Sequence, residues 1–295
     1  MDDEEWLAGH FERHRPQLRS IAYRMLGSLA EADDAVQDAW LRLSRSGADD
    51  VENLSGWLTT IVARVCLNIL RSRGRRREEP FDVHVPDPVI TLEGEAQPED
   101  AALLTDSVGL AMLVVLDTLT PDERVAFVLH DMFGLPFKEI GLMLGRSPAA
   151  AKQLASRARH RVGGDGPAPD RDPARQREVV DAFYAAARRG DFAALIGVLH
   201  PDVVARSDGG VGWPAASTVT RGAEAVVRQA ILVGTFQERH VHPVLVNGSA
   251  GAVVTVRGKP FSVMSFTVAD GKVTEINTIV DRERVGRIAA AVLAG

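Results

Sequence analysis

The chain has 295 residues, a formal net charge of −6 and one cysteine, Cys66. This length suffices for two or three domains, and a lone cysteine excludes a disulfide within the chain. No apolar run is long enough to cross a membrane, and the acidic start MDDEEWLAGH is unlike a signal peptide, so we expect a cytoplasmic protein. The negative charge argues against a general polyanion binder, but a basic face on one element remains compatible with DNA binding.

Helical periodicity dominates residues 1–77, the first predicted domain. Ser28 and Glu31 form a capping box that predicts the start of a helix, and its apolar side would bury alanine, valine and leucine. The opposite side is polar and mostly acidic: Asp33, Asp34, Gln37, Asp38 and Arg42. Charge runs of this kind are usually solvated, so the pattern alone assigns no partner to this face.

A second long helix is predicted from about Gly56, and it runs into the basic stretch RSRGRRR, residues 71–77. Guanidinium groups suit contact with DNA phosphates, although cations at a helix C-terminus also complement the helix dipole. Residues 78–100 follow, rich in proline and acidic side chains. We predict an extended linker there, without regular structure of its own.

Residues 101–164 form the next predicted domain, which ends in a helix-turn-helix. Thr120 to Glu123 is a capping box with proline at the first helical position. In the stretch 136–162, Gly145 ends one helix, and Ser147 caps the next. The outer side of the second helix has no acidic residue and carries Lys152, Gln153, Ser156, Arg157, Arg159 and His160. This pattern is typical of a helix that enters the DNA major groove; an ordinary helical hairpin with a solvated face is the alternative.

A break at 165–173, rich in Gly, Pro and Asp, precedes the last predicted domain, 174–295. Three helices are expected first, at 179–189, 192–199 and 223–233. Four strands follow, at 241–246, 252–256, 261–268 and 273–280, with turns at Asn247-Gly248 and Asp270-Gly271. Helices followed by an antiparallel meander indicate an α+β fold in which a curved sheet wraps a helix.

Acid and base side chains in the last domain offer candidates for catalysis: His200, Asp202, Asp208, His240 and His242. No two of them have a spacing that commits them to shared chemistry, so a structural role is the better interpretation. We therefore predict no enzyme activity, no catalytic residue, no metal site and no cofactor.

The order of these parts resembles a bacterial extracytoplasmic-function (ECF) sigma factor. The resemblance rests on DDAVQDAWLRL, GWLTTIVARVCLNILRSRGRRR, the acidic linker and LDTLTPDERVAFVLHDMFGLPFKEIGLMLGRSPAAAKQLASRARHRV. It is closest to the subgroup with a SnoaL-like C-terminal extension and covers nearly the whole chain. It implies a multidomain protein: two all-α sigma domains, region 2 and region 4, followed by an α+β SnoaL/NTF2-like cone.

The resemblance also implies partners and their sites. The acidic face of residues 33–42 would dock on the clamp helices of the beta-prime subunit of core RNA polymerase. Promoter DNA would be bound at the minus-ten element by region 2: Asn53, Trp57, Thr60, Arg64, Asn68, Arg71, Arg73, Arg75 and Arg76. It would be bound at the minus-thirty-five element by region 4: Arg146, Lys152, Gln153, Ser156, Arg157, Arg159 and His160. The alanines at 149–151 offer few contacts to base edges, so DNA shape would supply part of the specificity.

In this subgroup the C-terminal domain packs on the sigma domains and adjusts their activity, in place of a separate anti-sigma factor. The implied regulatory residues are Asp208, Gly209, Gly210, Asp281, Arg282 and Arg284. Two departures from the subgroup stand out: Val211 replaces a third consecutive glycine, and Asp281 to Arg284 lacks the proline of an Asn-Pro-Asp-Lys motif. A plain glycine-rich turn is the alternative account of this stretch.

Two other functions stay open on the sequence. One is a helix-turn-helix regulator whose C-terminal domain senses a small molecule of unknown identity. The other is an isomerase or hydrolase fused to a DNA-binding module, in which Asp208 or His200 would be essential. A helix-turn-helix regulator would not need the acidic face of the first domain or the linker between two DNA-facing units.

Overall fold

The computed structural model describes residues 3–46, 53–76, 83–92, 109–163, 168–170, 172–234 and 238–293. The chain forms two compact units. The first contains the described residues up to 76 and those of 112–163. The second contains 83–92, 109–111 and the described residues from 168 onward.

Three helices build the first part of unit one: α1 (Asp3–Leu26), α2 (Leu29–Ser46) and α3 (Leu54–Arg76). The apolar side predicted for α2 is buried, from Ala32 to Leu43, and Phe11, Leu18 and Ile21 of α1 are buried as well. Cys66 of α3 is also buried, and this burial raises the pKa of its thiol to about 12. Packing, and not redox chemistry, therefore accounts for this cysteine.

The helices of the second predicted domain complete unit one, except that Leu110 and Ala111, at the start of the first of them, belong to unit two. They are α4 (Leu110–Asp117), α5 (Pro121–Phe127), a π-helical turn (Val128–Met132), α6 (Phe137–Leu144) and α7 (Pro148–Val162). The predicted capping box at the start of α5 is present, with both reciprocal bonds between Thr120 and Glu123. Gly145 ends α6 with φ 66°, and Ser147 caps α7 by accepting from the Ala150 amide. The residues predicted to end α6 and to cap α7 are therefore the ones that do so in the structure.

Unit two is an α+β domain built on one seven-stranded sheet, in the order β1-β4-β5-β6-β7-β2-β3. Its strands are β1 (Ile90–Thr91), β2 (Leu199–Asp208), β3 (Thr218–Arg221), β4 (Arg239–Val246), β5 (Ser249–Val256), β6 (Lys259–Ala269) and β7 (Lys272–Ile279). Strands β4 to β7 form the predicted antiparallel meander, and β2 joins β7 in parallel. Both predicted tight turns have a residue at positive φ, Asn247 and Asp270.

Helices α8 (Pro173–Arg189), α9 (Phe192–Val198) and α10 (Ala223–Gly234) supply the other half of the domain core. Phe183 and Tyr184 of α8 pack against Phe266 of β6, with ring centroids 5.3 to 5.6 Å apart and edge-to-face geometry. The last helix, α11 (Arg282–Leu293), packs on β6 through buried Val285 and Ala289. Both domain classes predicted from the sequence, all-α and α+β, are confirmed.

The described part of the predicted linker differs from the expectation of a stretch without regular structure. Ile90 and Thr91 pair with Val246 and Leu245 of β4, so the linker supplies β1 at the edge of the sheet. This strand could not be read from the sequence, because two residues carry no periodicity and the pairing partner is about 155 residues away. The segment 83–91 is called the strap below.

No helix among the described residues is long and apolar enough to cross a membrane. Within the same residues, no group of three or more His, Cys, Asp and Glu side chains could hold a metal ion.

Candidate functional site

The outer face of α7 is the candidate surface for DNA in region 4. Ala151, Leu154, Ala155 and Ala158 are buried, as the spacing predicted. The close crossing of α6 and α7 depends on Gly141, since a Cβ there would lie 2.8 Å from the Arg146 carbonyl oxygen. The predicted DNA-facing residues consequently point outward: Lys152, Gln153, Arg157, Arg159 and His160 are exposed, Ser156 is half-buried, and Arg146 is exposed in the turn.

Two arginines of α7 pair with one buried carboxylate. Glu123 is 3% exposed and accepts from Arg157 Nε at 3.0 Å and from Arg161 Nη1 at 2.7 Å. Burial opposes its ionisation, but hydrogen bonds from Arg157 and Thr120 outweigh burial and hold the pKa of Glu123 below its ordinary value. Arg159 is paired in the same manner with Asp131. Sequence reasoning missed Glu123 as an anchor because it was read only as a helix cap.

The predicted DNA face of region 2 lies along α3. Asn53, Arg64, Asn68 and Arg71 are exposed, whereas Trp57, Thr60 and Arg73 are half-buried. Asn53 caps α3 by accepting from the Gly56 amide at 3.0 Å. Arg73 donates to the Leu26 carbonyl at 2.9 Å and pairs with Glu31, so it ties α3 to the junction of α1 and α2. Arg75 and Arg76 lie in the last turn of α3, and their side chains are outside the described residues.

All five residues of the polar side of α2 are exposed, as predicted: Asp33, Asp34, Gln37, Asp38 and Arg42. Asp33 accepts from Arg19 of α1 at 2.6 Å, and the carboxylates of Asp34 and Asp38 are the other negative charges of this face. Leu41, 41% exposed, lies among them. An acidic face with an apolar residue at its end is suited to a basic partner surface.

The regulatory residues predicted in the C-terminal domain converge on the strap. Asp208, 2% exposed, accepts from the Val85 amide at 2.8 Å and from Arg284 Nη1 at 2.6 Å. Arg284 also reaches Asp87 Oδ1 at 2.7 Å and the Val85 carbonyl. Burial disfavours the charge of Arg284, but Asp87 and Asp208 raise its pKa above the ordinary value. The guanidinium therefore stays charged between two carboxylates.

Glycines bring the two motifs together. Gly210 has φ 59°, and a Cβ there would overlap the Asp281 carboxylate. A Cβ on Gly209 would overlap the Trp213 carbonyl oxygen. Asp281 caps α11 by accepting from the Arg284 amide at 2.9 Å, which aims Arg284 toward Asp208. Five of the six predicted regulatory residues thus meet at one place, whereas Arg282 is exposed outside it.

The strap adds contacts that sequence reasoning missed. Val85 and Val89 are buried, and Val89 exchanges two 2.8 Å hydrogen bonds with Asn247. Arg287 lies 3.4 Å from Asp87. The paired prolines at 86 and 88 around an aspartate were the only local signal that this stretch is held extended.

The candidate catalytic residues do not form a shared site. Asp208 is committed to the strap and lies at the opposite end of β2 from His200, which accepts from the Asp202 amide at 3.2 Å. His242 contacts Thr255 on the neighbouring strand at 3.0 Å, and His240 is exposed. None of these contacts aligns an acid with a base across a cavity.

Comparison with known proteins agrees with this geometry. The family Sigma-70 region 2 matches residues 10–76, and Sigma-70, region 4 matches residues 110–162. The ECF RNA polymerase sigma factor SigJ of Mycobacterium tuberculosis is 39% identical over 290 residues, with 93% of this chain and 91% of the relative covered. The probable ECF RNA polymerase sigma factor SigI of the same species is 33% identical, with 95% of both chains covered.

A solved structure matches the fold over almost its full length. The crystal structure of SigJ from M. tuberculosis superposes with a TM-score of 0.76 at 37% identity, covering 94% of this chain and 97% of that one. The SigJ structure therefore contains a counterpart of each part of this chain: helical region 2, the helix-turn-helix of region 4 and the C-terminal α+β domain. The chain is a member of the ECF RNA polymerase sigma factors, which direct transcription initiation at specific promoters.

Proposed function

We propose that the chain binds core RNA polymerase through the exposed acidic face of α2 and positions it on promoters through α3 and α7. The carboxylates of Asp34 and Asp38 would meet a basic surface on the clamp helices of the beta-prime subunit. This proposal gives a reason for the acidic face in the half of the chain that also binds DNA, because that face would bind polymerase. The protein would act in the cytoplasm, where polymerase and DNA are located. In this proposal the chain itself catalyses no reaction.

The ion pairs of α7 refine the proposed DNA contacts. Lys152 and Gln153 lie in the first half of α7, the end that a recognition helix presents to base edges, and Ser156 lies just past its middle. Arg157 and Arg161 are anchored to Glu123, so we assign them to holding the helix in place. Their outward guanidinium surfaces remain suited to phosphate contact at most. In region 2, Arg64 and Asn68 form the exposed part of the proposed minus-ten face.

The C-terminal domain, in our proposal, adjusts initiation by binding the linker that joins region 2 to region 4. The observation that carries this proposal is the strap: a linker segment with two buried valines and a buried ion-pair network on the C-terminal domain. A bound strap leaves fewer free residues between the two DNA-binding regions. Docking should therefore restrain the distance that region 2 and region 4 can span, without a separate anti-sigma factor.

Run-off transcription with purified core polymerase tests both parts. The template is the protein's own upstream region, and the full-length chain is compared with a chain ending at Arg171. Initiation from a defined start by either form supports the sigma function. The ratio of transcript made by the two forms shows whether the C-terminal domain activates or inhibits initiation. If neither form binds polymerase while the full chain still binds DNA, a helix-turn-helix regulator becomes the better assignment.

A further inference from the structure

One carboxylate of unit one faces two arginines that we assigned to DNA. Asp122, in the first turn of α5, lies 2.8 Å from Arg71 Nη2 and 3.7 Å from Arg146 Nη2. Arg71 comes from the end of α3 in region 2, and Arg146 comes from the helix-turn-helix of region 4. The Asp122 side chain is 18% exposed, whereas those of Arg71 and Arg146 are 42% and 60% exposed, so both guanidinium groups remain accessible to water and to DNA phosphates.

Other contacts support the same approach of region 2 to region 4. Arg124, also in α5 and 1% exposed, donates from Nε to the Arg24 carbonyl of α1 at 3.3 Å. The Arg24 guanidinium lies 5.1 Å from the ring centroid of Phe133, just after the π-helical turn. These contacts between region 2 and region 4 involve charged and polar groups, and such contacts separate more readily in water than purely apolar ones.

Promoter binding is incompatible with this arrangement. The minus-ten and minus-thirty-five elements are about 25 base pairs apart, which is roughly 85 Å of B-DNA at 3.4 Å per base pair. An arginine of each region cannot lie at its own element while both lie against one carboxylate. Binding to a promoter must therefore break the contact of Asp122 with Arg71, Arg146 or both.

We infer that Asp122 takes the place of a DNA phosphate in the free chain and holds Arg71 and Arg146 in a closed form of unit one. This inference rests on the proposed promoter binding and adds a second restraint, separate from the strap. DNA phosphates compete with Asp122 for the same guanidinium groups. The closed form consequently lowers the affinity of the free chain for DNA.

The test measures binding of the full-length chain, without polymerase, to a fluorescent 30-base-pair duplex of mixed sequence by anisotropy. Asp122→Asn keeps the shape of the side chain and removes its charge. We expect it to bind the duplex about three- to ten-fold more tightly, because an ion pair of this exposure is modest in strength. We also expect log K against log[salt] to steepen by about one to two, because one or two more arginines reach phosphates.

Matched variants separate this effect from a general change of charge. Asp181→Asn removes an exposed carboxylate from α8 of unit two and should leave the affinity unchanged. Arg71→Gln added to Asp122→Asn should cancel at least half of the logarithmic gain in affinity. Asp122→Ser, which suits the first turn of a helix, repeats the measurement if thermal unfolding shows that the asparagine variant is less stable.

The outcomes distinguish this inference from the proposed function. Equal affinities of wild type, Asp122→Asn and Asp122→Ser would overturn the closed form, and an equal gain in Asp181→Asn would do so as well. Tighter DNA binding by Asp122→Asn in a chain that never initiates transcription would leave the closed form standing and overturn the sigma function.

Discussion

Glu123 in region 4 and Asp208 in the C-terminal domain are both buried carboxylates that receive arginine side chains, at 3% and 2% exposure. They differ in how far along the chain their partners lie. Glu123 binds Arg157 and Arg161, 34 and 38 residues away in the same domain. Asp208 binds Arg284 and the Val85 amide, 76 and 123 residues away. The first contact belongs to the folding of one domain, whereas the second holds a linker that joins two other domains.

From this difference we expect the contact of Glu123 to be needed for folding and that of Asp208 to be open to release. Glu123 belongs to the packing of α7 in region 4, since the same carboxylate caps α5 and accepts from Arg157 and Arg161 of α7. The strap, in contrast, is attached to the C-terminal domain by two buried valines, a two-residue strand and the Asp208 network. Losing the first contact should cost stability, and losing the second should change activity.

The largest effect is expected for Glu123→Gln. The substitution leaves Arg157 and Arg161 facing a neutral amide in a buried position, and we expect the free energy of unfolding to fall by about 2 kcal/mol. Urea denaturation followed by circular dichroism measures it. Glu139→Gln on the exposed side of α6 is the control and should stay within about 0.5 kcal/mol. A loss no larger than that of the control would show that Glu123 is dispensable.

The pH dependence of the same variant sharpens the comparison. The pKa of Glu123 is lower in the folded chain than its ordinary value of 4.5. Its contribution to stability is therefore complete above the unfolded pKa and is lost as pH falls through the lower folded pKa. We expect the stability difference between wild type and Glu123→Gln to be full at pH 7 and to shrink below about pH 4.5. A difference that grows on acidification would contradict this sign.

A smaller effect on stability, but a larger one on regulation, is expected for Arg284→Ala. It removes the guanidinium between Asp87 and Asp208 and should weaken docking of the strap by about 1.5 kcal/mol, which is roughly tenfold. Hydrogen exchange at the Val85 and Val89 amides should speed up accordingly, and run-off transcription by the full-length chain should rise. Arg282→Ala is the matched control, because Arg282 is exposed beside the network. Unchanged exchange in Arg284→Ala would show that the valines hold the strap alone.

The sequence was sufficient wherever local chemistry decides structure. The capping box at Thr120, the left-handed Gly145 and the buried side of α7 follow from residue type and helical spacing, and they were predicted correctly. The meander β4 to β7 was also predicted, with each boundary within three residues of the observed one, because alternation and turn residues mark it.

The sequence was insufficient wherever distant residues meet. Strand β1 forms only because β4 offers an unpaired edge, and β2 joins β7 in parallel across about 70 residues. Asp208 and Arg284 were named as regulatory residues from the resemblance to the family, but neither their contact with each other nor their contact with the strap was foreseen. Pairing of residues on separate elements depends on the completed fold, so no single stretch of sequence carries its signal.

The smallest effect is expected for Val211→Gly, which restores the third glycine of the family motif. Val211 is 97% exposed and contributes no packing that the change would remove, whereas Gly209 and Gly210 lie against Trp213 and Asp281. The added glycine raises only the entropy of the unfolded chain, so stability should fall by a few tenths to 1 kcal/mol. Exchange at the Val85 amide should not change. If exchange at the Val85 amide does speed up, the loop around Val211 positions the strap together with Asp208 and Arg284. The valine at 211, where the family has glycine, would then strengthen the docking of the strap.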